Sequence, residues 1–161
     1  MLRKITPTLR RLRGDCQGFG AMELALSMPF LMLLSLGMID ASNLIAAKID
    51  YEQAAQQTTD YALAKRPQSS DGTYLVTIAK AAADVETNDV TVQVFLECGG
   101  TRQSDFNATC SSGATPARYV SVQIRKDLDT YFDWAALAST LGIKGFGSTV
   151  SVAGDSMVRF Q

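Results

Sequence analysis

The chain has 161 residues, of which 47% are hydrophobic and 19% are charged, and its formal net charge is −1. It contains no histidine, so the commonest general base and the commonest metal ligand are both missing from its composition. We therefore expect neither an enzyme nor a metal or cofactor site, and the length suits one membrane helix with one modest soluble domain.

The first 18 residues form a basic leader. Its charged residues are Arg3, Lys4, Arg10, Arg11, Arg13 and Asp15, which give a net charge of about +4. Positive flanks stay in the cytoplasm, so we predict a cytoplasmic N-terminus and an exported remainder. Without the leader the chain keeps ten basic and fifteen acidic residues, a net charge near −5. No basic patch remains for binding nucleic acid.

A long apolar run follows the leader. The residues from Leu24 to Ile39 carry no charge, and Leu24 to Ala47, counted through Asp40, is 24 residues. That length crosses about 30 Å of hydrocarbon as a helix, which predicts a membrane span at about 24–47. Glu23 lies at its cytoplasmic end, where a carboxylate is costly and is usually kept for a purpose.

Three interpretations of this region share the same orientation. The first is an N-terminus that is cut at the end of the basic leader and keeps its apolar run, the second an ordinary secretory signal, and the third a plain single-span anchor. A secretory signal has a shorter apolar core, of about 7–15 residues. A plain anchor explains the length of the run but gives no reason for Glu23.

The helical pattern continues beyond the apolar run and becomes amphipathic. One face carries apolar or small residues at spacings of three and four, namely Leu44, Ala47, Tyr51, Ala54, Thr58 and Tyr61. Lys65 and Arg66 suit a last turn before Pro67, so the pattern predicts one helix over residues 19–66. A membrane span with a separate amphipathic helix is the alternative.

Residues 67–161 are predicted to form an exported α+β domain. A short helix is expected at about Thr73 to Val85, followed by three antiparallel strands at Val90–Leu96, Tyr119–Arg125 and Ser148–Phe160. The domain should pack against the lower half of the long helix. A connection with a short helix is expected between Leu128 and Ile143, with packing residues Tyr131, Phe132, Trp134, Leu137 and Leu141.

The cysteines support export. Cys16 lies in the leader, whereas Cys98 and Cys110 form an even pair in the exported part, where a disulfide is expected. Such a bond would close a loop of 13 residues and stabilise the domain by about 3 kcal/mol in the chain-entropy model. Two unpaired thiols are the alternative. The segment from Glu97 to Pro116 is predicted to be a loop held by this pair.

The N-terminal third resembles the TadE-like pseudopilins of the tight-adherence pilus system, whose pili are of the Flp type (type IVb/IVc). The resemblance rests on Gly18, Glu23 five residues later, Ala25-Leu26-Ser27-Met28-Pro29, Leu31-Met32-Leu33-Leu34, and Gly37-Met38-Ile39-Asp40. The last strand, Val150 to Phe160, also resembles the family's C-terminal strand. One departure is Leu24, since an aromatic residue commonly follows the glutamate in this family.

The resemblance implies assembly rather than catalysis. A prepilin peptidase would cut between Gly18 and Phe19, and Glu23 would pair with the new terminal amine of a neighbouring subunit. Other pilins and pseudopilins of the same pilus and the inner-membrane assembly platform would be the partners. The chain would cross the bacterial inner membrane once, with its domain in the periplasm or on the extracellular pilus. TadE-like and TadF-like relatives are not distinguished.

Asp40 has two interpretations. It marks the outer water boundary of the membrane, or it contacts a partner pilin inside a helix bundle. A competing function for the whole chain is an uncleaved, membrane-anchored periplasmic binding module, whose sheet and cysteine loop would hold a ligand and in which Glu23 would tolerate substitution.

Overall fold

The computed structural model describes residues 19–145 and 147–161. By its internal contacts the chain divides into two units, Met1–Ile39 and Asp40–Gln161. The elements, in chain order, are α1 (Phe19–Ala64), α2 (Thr73–Ala83), a 3₁₀ turn (Thr87–Asp89), β1 (Val90–Cys98), β2 (Thr101–Arg102), β3 (Pro116–Asp129), α3 (Trp134–Thr140) and β4 (Thr149–Arg159). The α+β class predicted from the sequence is confirmed.

Helix α1 is a single helix of 46 residues that includes Pro29. The alternative of two separate helices is therefore wrong. The helix ends two residues earlier than predicted, at Ala64, shortly before Pro67. A proline disfavours helical geometry in the residue before it and cannot continue the hydrogen-bond ladder, so the helix unwinds ahead of it.

The part of α1 in the first unit exposes its large apolar side chains. Met22, Leu26 and Met38 are 67%, 75% and 71% exposed. Among the described residues, α1 is the one helix long and apolar enough to cross a membrane. A helix that is apolar all round needs an apolar environment, which agrees with the predicted span.

The second unit is built on a four-stranded antiparallel sheet with the order β2-β1-β3-β4. Val122 of β3 is the register partner of both Val92 in β1 and Ser156 in β4. The three predicted strands are present. The fourth strand, β2, consists of two residues within the predicted loop, and its polar sequence, Thr101-Arg102, carries no period-two signal.

The core lies between the inner face of the sheet and the C-terminal part of α1. Val120, Val122 and Ile124 of β3 are fully buried. On α1 the prediction was right for Tyr51, Ala54 and Thr58 and wrong for Tyr61, which is 42% exposed. Ala55 and Ala62, which were not predicted, are fully buried on the face of α1 that packs against the sheet. Small side chains at these positions bring the helix close to the sheet.

Helix α1 and the sheet approach each other closely at Gly154. A Cβ atom at this position would lie 2.4 Å from the backbone nitrogen of Glu52 and 2.4 Å from the carbonyl carbon of Tyr51. Both contacts are with backbone, which cannot rotate away. One side-chain hydrogen bond also joins the two elements, 2.9 Å between the hydroxyls of Thr59 and Ser156.

Helix α2 covers the edge of this core through Leu75 and Ala79. Its start is fixed by Asp71, whose Oδ1 accepts a 2.5 Å hydrogen bond from the Thr73 hydroxyl and a 2.9 Å bond from the Thr73 amide. These bonds lower the pKa of Asp71. The helix ends two residues before the predicted Val85 because Asp84 adopts a left-handed conformation, with φ of 51°.

The connection between β3 and β4 contains the predicted short helix, α3, but two of its predicted packing residues are wrong. Tyr131 is 81% exposed and Leu141 is 67% exposed, whereas Ala138 is buried. A helix of two turns packs along one side, so its flanking apolar residues need not reach the core. Phe132 and Trp134 do pack, edge to face, with ring centroids 4.8 Å apart.

Candidate functional site

The most elaborate polar arrangement in the second unit surrounds Asp40, the first residue of that unit. Its side chain is 5% exposed although it follows an apolar run. The carboxylate accepts hydrogen bonds from the backbone amide of Tyr131 at 2.8 Å, the amide of Phe132 at 3.4 Å, and the indole nitrogen of Trp134 at 2.6 Å. Bonds to an ionised acceptor are stronger than neutral ones.

The donors come from the turn that leads from β3 into α3. The Thr130 hydroxyl donates to the Phe132 carbonyl at 2.8 Å, and the Asp133 carboxylate caps α3 by accepting from the Ala136 amide at 2.8 Å. The amides of Tyr131 and Phe132 precede the helix and follow the strand, so neither element supplies them with an acceptor. Asp40 therefore ties this turn to α1.

This role of Asp40 was missed in the sequence, where a membrane boundary and a contact with a partner pilin were considered. The Asp40 carboxylate and the Tyr131 amide are 91 positions apart in the sequence, and no local pattern links them. The available signal was compositional: an acidic residue at the end of an apolar run needs donors, and the only tryptophan supplies one. The predicted contact with a partner pilin remains a prediction.

The residues predicted for processing and register lie at the start of α1. Gly18 and the rest of the leader, including Cys16, are outside the described residues. Phe19 is the first residue of the helix, and Glu23, which is exposed, follows it by four positions. Residues four apart share one face of a helix, so a terminal amine at Phe19 and the Glu23 carboxylate would be presented on the same side.

The predicted disulfide between Cys98 and Cys110 is present, with 5.5 Å between the Cα atoms. The alternative of two unpaired thiols is therefore wrong. The enclosed loop is also anchored by Phe106, which is 6% exposed and lies 6.5 Å from the Phe160 ring between centroids. The Arg118 guanidinium stands 4.9 Å from the Phe106 centroid, a cation–π contact that covers the ring.

The disulfide loop and the Asp40 turn lie at opposite ends of the sheet. Cys98 is the register partner of Pro116, where β3 begins, and the turn held by Asp40 follows Asp129, where β3 ends. A strand rises about 3.4 Å per residue, so these ends are roughly 40 Å apart along β3. The two predicted features therefore do not form one site.

Comparison with protein families gives a match over the N-terminal part of the chain. Residues 18–60 match the family model described as TadE-like protein. This confirms the resemblance over the segment that contains Gly18, Phe19, Glu23 and Asp40. No curated protein and no solved structure matches the chain significantly.

Proposed function

We propose that this chain is a TadE-like minor pilin or pseudopilin that a prepilin peptidase processes between Gly18 and Phe19. It takes part in assembling a Flp-type pilus for surface attachment. The observation that carries this proposal is the family match, which begins at Gly18 and runs along α1 to residue 60. Helix α1 has the two halves that such a role requires, one exposing apolar side chains and one packed beneath a domain.

Assembly would depend on the charge pair at the start of α1. Cleavage frees a terminal amine at Phe19, and the Glu23 carboxylate of a neighbouring subunit pairs with it. Two opposite charges in an apolar layer are each costly alone and much less costly together. The pair would therefore set the axial register between subunits. Repetition of such a head-to-tail contact without closure builds a filament.

Asp40 would keep the domain attached where the apolar run ends. Its hydrogen bonds hold the turn before α3 against the helix, so the sheet has a defined position on its own stretch of α1. The disulfide loop lies at the other end of the sheet. The partners would be the prepilin peptidase, other pilins and pseudopilins of the same pilus, and the inner-membrane assembly platform.

The decisive experiment is to determine the N-terminus and intact mass of the full chain extracted from membranes, with and without a co-expressed prepilin peptidase. We expect a peptidase-dependent start at Phe19, and a Gly18→Val variant should block the cut. An uncut chain under both conditions would contradict the proposal. A Gly20→Val variant is the matched control, since this glycine lies beyond the cut and a Cβ atom there meets no atom within 4 Å.

A membrane-anchored binding module is the second candidate, and one observation favours it. The outer face of the sheet carries an open polar cleft of about 280 Å³ lined by Thr91, Gln93, Ser121, Gln123 and Asp155. Such hydroxyl, amide and carboxylate groups suit a polar ligand. In that case the leader stays uncut and Glu23→Ala is neutral, so the same mass measurement separates the two functions.

A further inference from the structure

We propose that the connection between β3 and β4 is a membrane-docking surface, which inserts apolar side chains into the outer interface of the bilayer that α1 spans. The surface consists of Tyr131, Leu141 and Ile143, which are 81%, 67% and 50% exposed. The proposal rests on the proposed function only in that α1 crosses the membrane. It does not require cleavage of the leader or assembly of a pilus.

The depth of the surface follows from the position of Asp40 along α1. Asp40 comes 17 residues after Glu23 (40 minus 23), with no charged residue between them. At 1.5 Å per residue these carboxylates are about 25 Å apart along the helix axis. The hydrocarbon layer is about 30 Å thick, so with Glu23 at the inner boundary Asp40 comes close to the outer one.

Asp40 fixes the connection at this depth. The amide of Tyr131 and the indole of Trp134 donate to its carboxylate at 2.8 and 2.6 Å. Trp134 begins α3, whose seven residues extend about 10 Å, and Leu141 follows as the C-terminal cap. The Ile143 amide then donates to the Ala138 carbonyl at 2.9 Å, which folds the chain back onto α3. All three exposed side chains therefore belong to a short segment that is anchored to Asp40 at its start.

The chemistry of the connection suits a lipid surface. Tyrosine and tryptophan are enriched at membrane interfaces, and exposed leucine and isoleucine gain free energy by entering the boundary with the acyl chains. Residues 130–148 contain one acidic and one basic residue, Asp133 and Lys144. Because the segment is neutral overall, docking should depend on apolar burial and not on anionic lipid.

The full chain offers a direct test with site-specific labels. In a Cys16→Ser background the disulfide occupies the other two cysteines, so a single new cysteine can carry an environment-sensitive fluorophore. Labels at Leu141→Cys and Ile143→Cys report the docking surface, and a label at Met32→Cys reports the span. Met157→Cys is the matched control, since Met157 is 64% exposed but pairs with Ser121 in the middle of the sheet.

The labelled chains are reconstituted one per nanodisc in phosphatidylcholine, with lipids brominated near the headgroup or near the chain ends. We expect headgroup-proximal bromines to quench the labels at 141 and 143 roughly twofold more than the label at 157, as for side chains at the interface. Aqueous iodide should quench the label at 157 more strongly than the labels at 141 and 143. Replacing a quarter of the lipid with phosphatidylglycerol should change neither result.

Three outcomes would overturn the proposal, and each has a different meaning. If the label at 32 is quenched by lipid but those at 141 and 143 respond only to iodide, α1 spans the membrane without docking. If shielding at 141 and 143 appears only with several chains per disc, a second copy covers the surface. If the label at 32 is itself unquenched, the membrane-spanning premise fails, whatever the leader cleavage shows.

Discussion

At the scale of single residues, Asp40 illustrates how an isolated carboxylate is accommodated beside an apolar run. Its two oxygens accept three hydrogen bonds, two from backbone amides and one from an indole. The donors would otherwise be left without an acceptor in the turn, and the carboxylate would be left buried without donors. The three hydrogen bonds therefore offset the desolvation cost of both the carboxylate and its donors.

We predict that Asp40→Ala destabilises the domain by about 1–3 kcal/mol, because it removes the acceptor for three donors. Asp40→Asn should fall between this variant and the natural chain, since the amide keeps one acceptor oxygen and presents a donor to the others. Thermal unfolding of the detergent-solubilised chain, followed by the emission of Trp134, measures the effect. Asp60→Ala, an exposed carboxylate on the same helix, is the control. Equal midpoints for the two alanine variants would contradict this account.

A second prediction concerns Gly154. Gly154→Ala places a methyl group 2.4 Å from backbone atoms of Tyr51 and Glu52, so α1 and β4 must move apart. Overpacking of this kind costs about 1–3 kcal/mol. The loss should appear as a lower midpoint in the same unfolding experiment. Gly147→Ala, whose added Cβ meets nothing nearer than 3.6 Å, should leave the midpoint within about 1 °C. Similar losses in both variants would remove the argument from close approach.

At the scale of elements, the disulfide loop is a partly independent feature of the domain. Within it, β2 pairs with the end of β1 through Glu97 and Arg102, and Phe106 reaches the core beside Phe160. The remaining residues of the loop are largely exposed and polar. The loop therefore depends on two anchors, one covalent and one aromatic.

We predict that Cys98→Ser with Cys110→Ser lowers the free energy of unfolding by about 3 kcal/mol, because the unfolded chain regains the freedom of a 13-residue loop. Limited proteolysis between residues 99 and 115 should accelerate more than cleavage elsewhere in the domain. Phe106→Ala with the disulfide intact separates the two anchors, since it loosens the loop without that change in the unfolded chain. Unchanged proteolysis of the double serine variant would show that the aromatic anchor alone holds the loop.

At the scale of the whole molecule, α1 links the proposed membrane segment and the folded domain within one element. Its first part exposes apolar side chains, and its last part is buried under a sheet. A change at Glu23 therefore need not alter the fold of the domain, whereas a change at Asp40 acts on the domain directly. The two carboxylates are expected to give different phenotypes.

We predict that Glu23→Ala abolishes incorporation into sheared pili while the domain keeps its unfolding midpoint, because the lost charge pair is intermolecular. Asp40→Ala should incorporate to a lesser extent than the natural chain but more than Glu23→Ala, with a lowered midpoint. Glu52→Ala is the control, a carboxylate in a surface ion pair with Lys48 on the same helix. Incorporation of Glu23→Ala at the natural level would exclude the register role of this residue.

The sequence by itself determined the features that depend on local pattern and composition. Helix α1 and much of its buried face could be predicted from the apolar run, from Pro67 and from the spacing of Tyr51, Ala54 and Thr58. Helical periodicity depends only on residues three and four positions apart, so it is visible in the sequence. Period-two alternation predicted three strands, and an even cysteine pair in an exported segment predicted the disulfide.

Only the tertiary structure decided which distant groups meet. Asp40 and Tyr131 lie 91 positions apart, and no periodic signal in the sequence indicates their hydrogen bond. The need for glycine at position 154 is likewise visible only when α1 lies across β4. The exposure of Tyr131 and Leu141 likewise depends on how a short helix is seated and not on its own composition. Long-range contacts are set by the packing of whole elements, since many sequences satisfy the same local pattern with different partners.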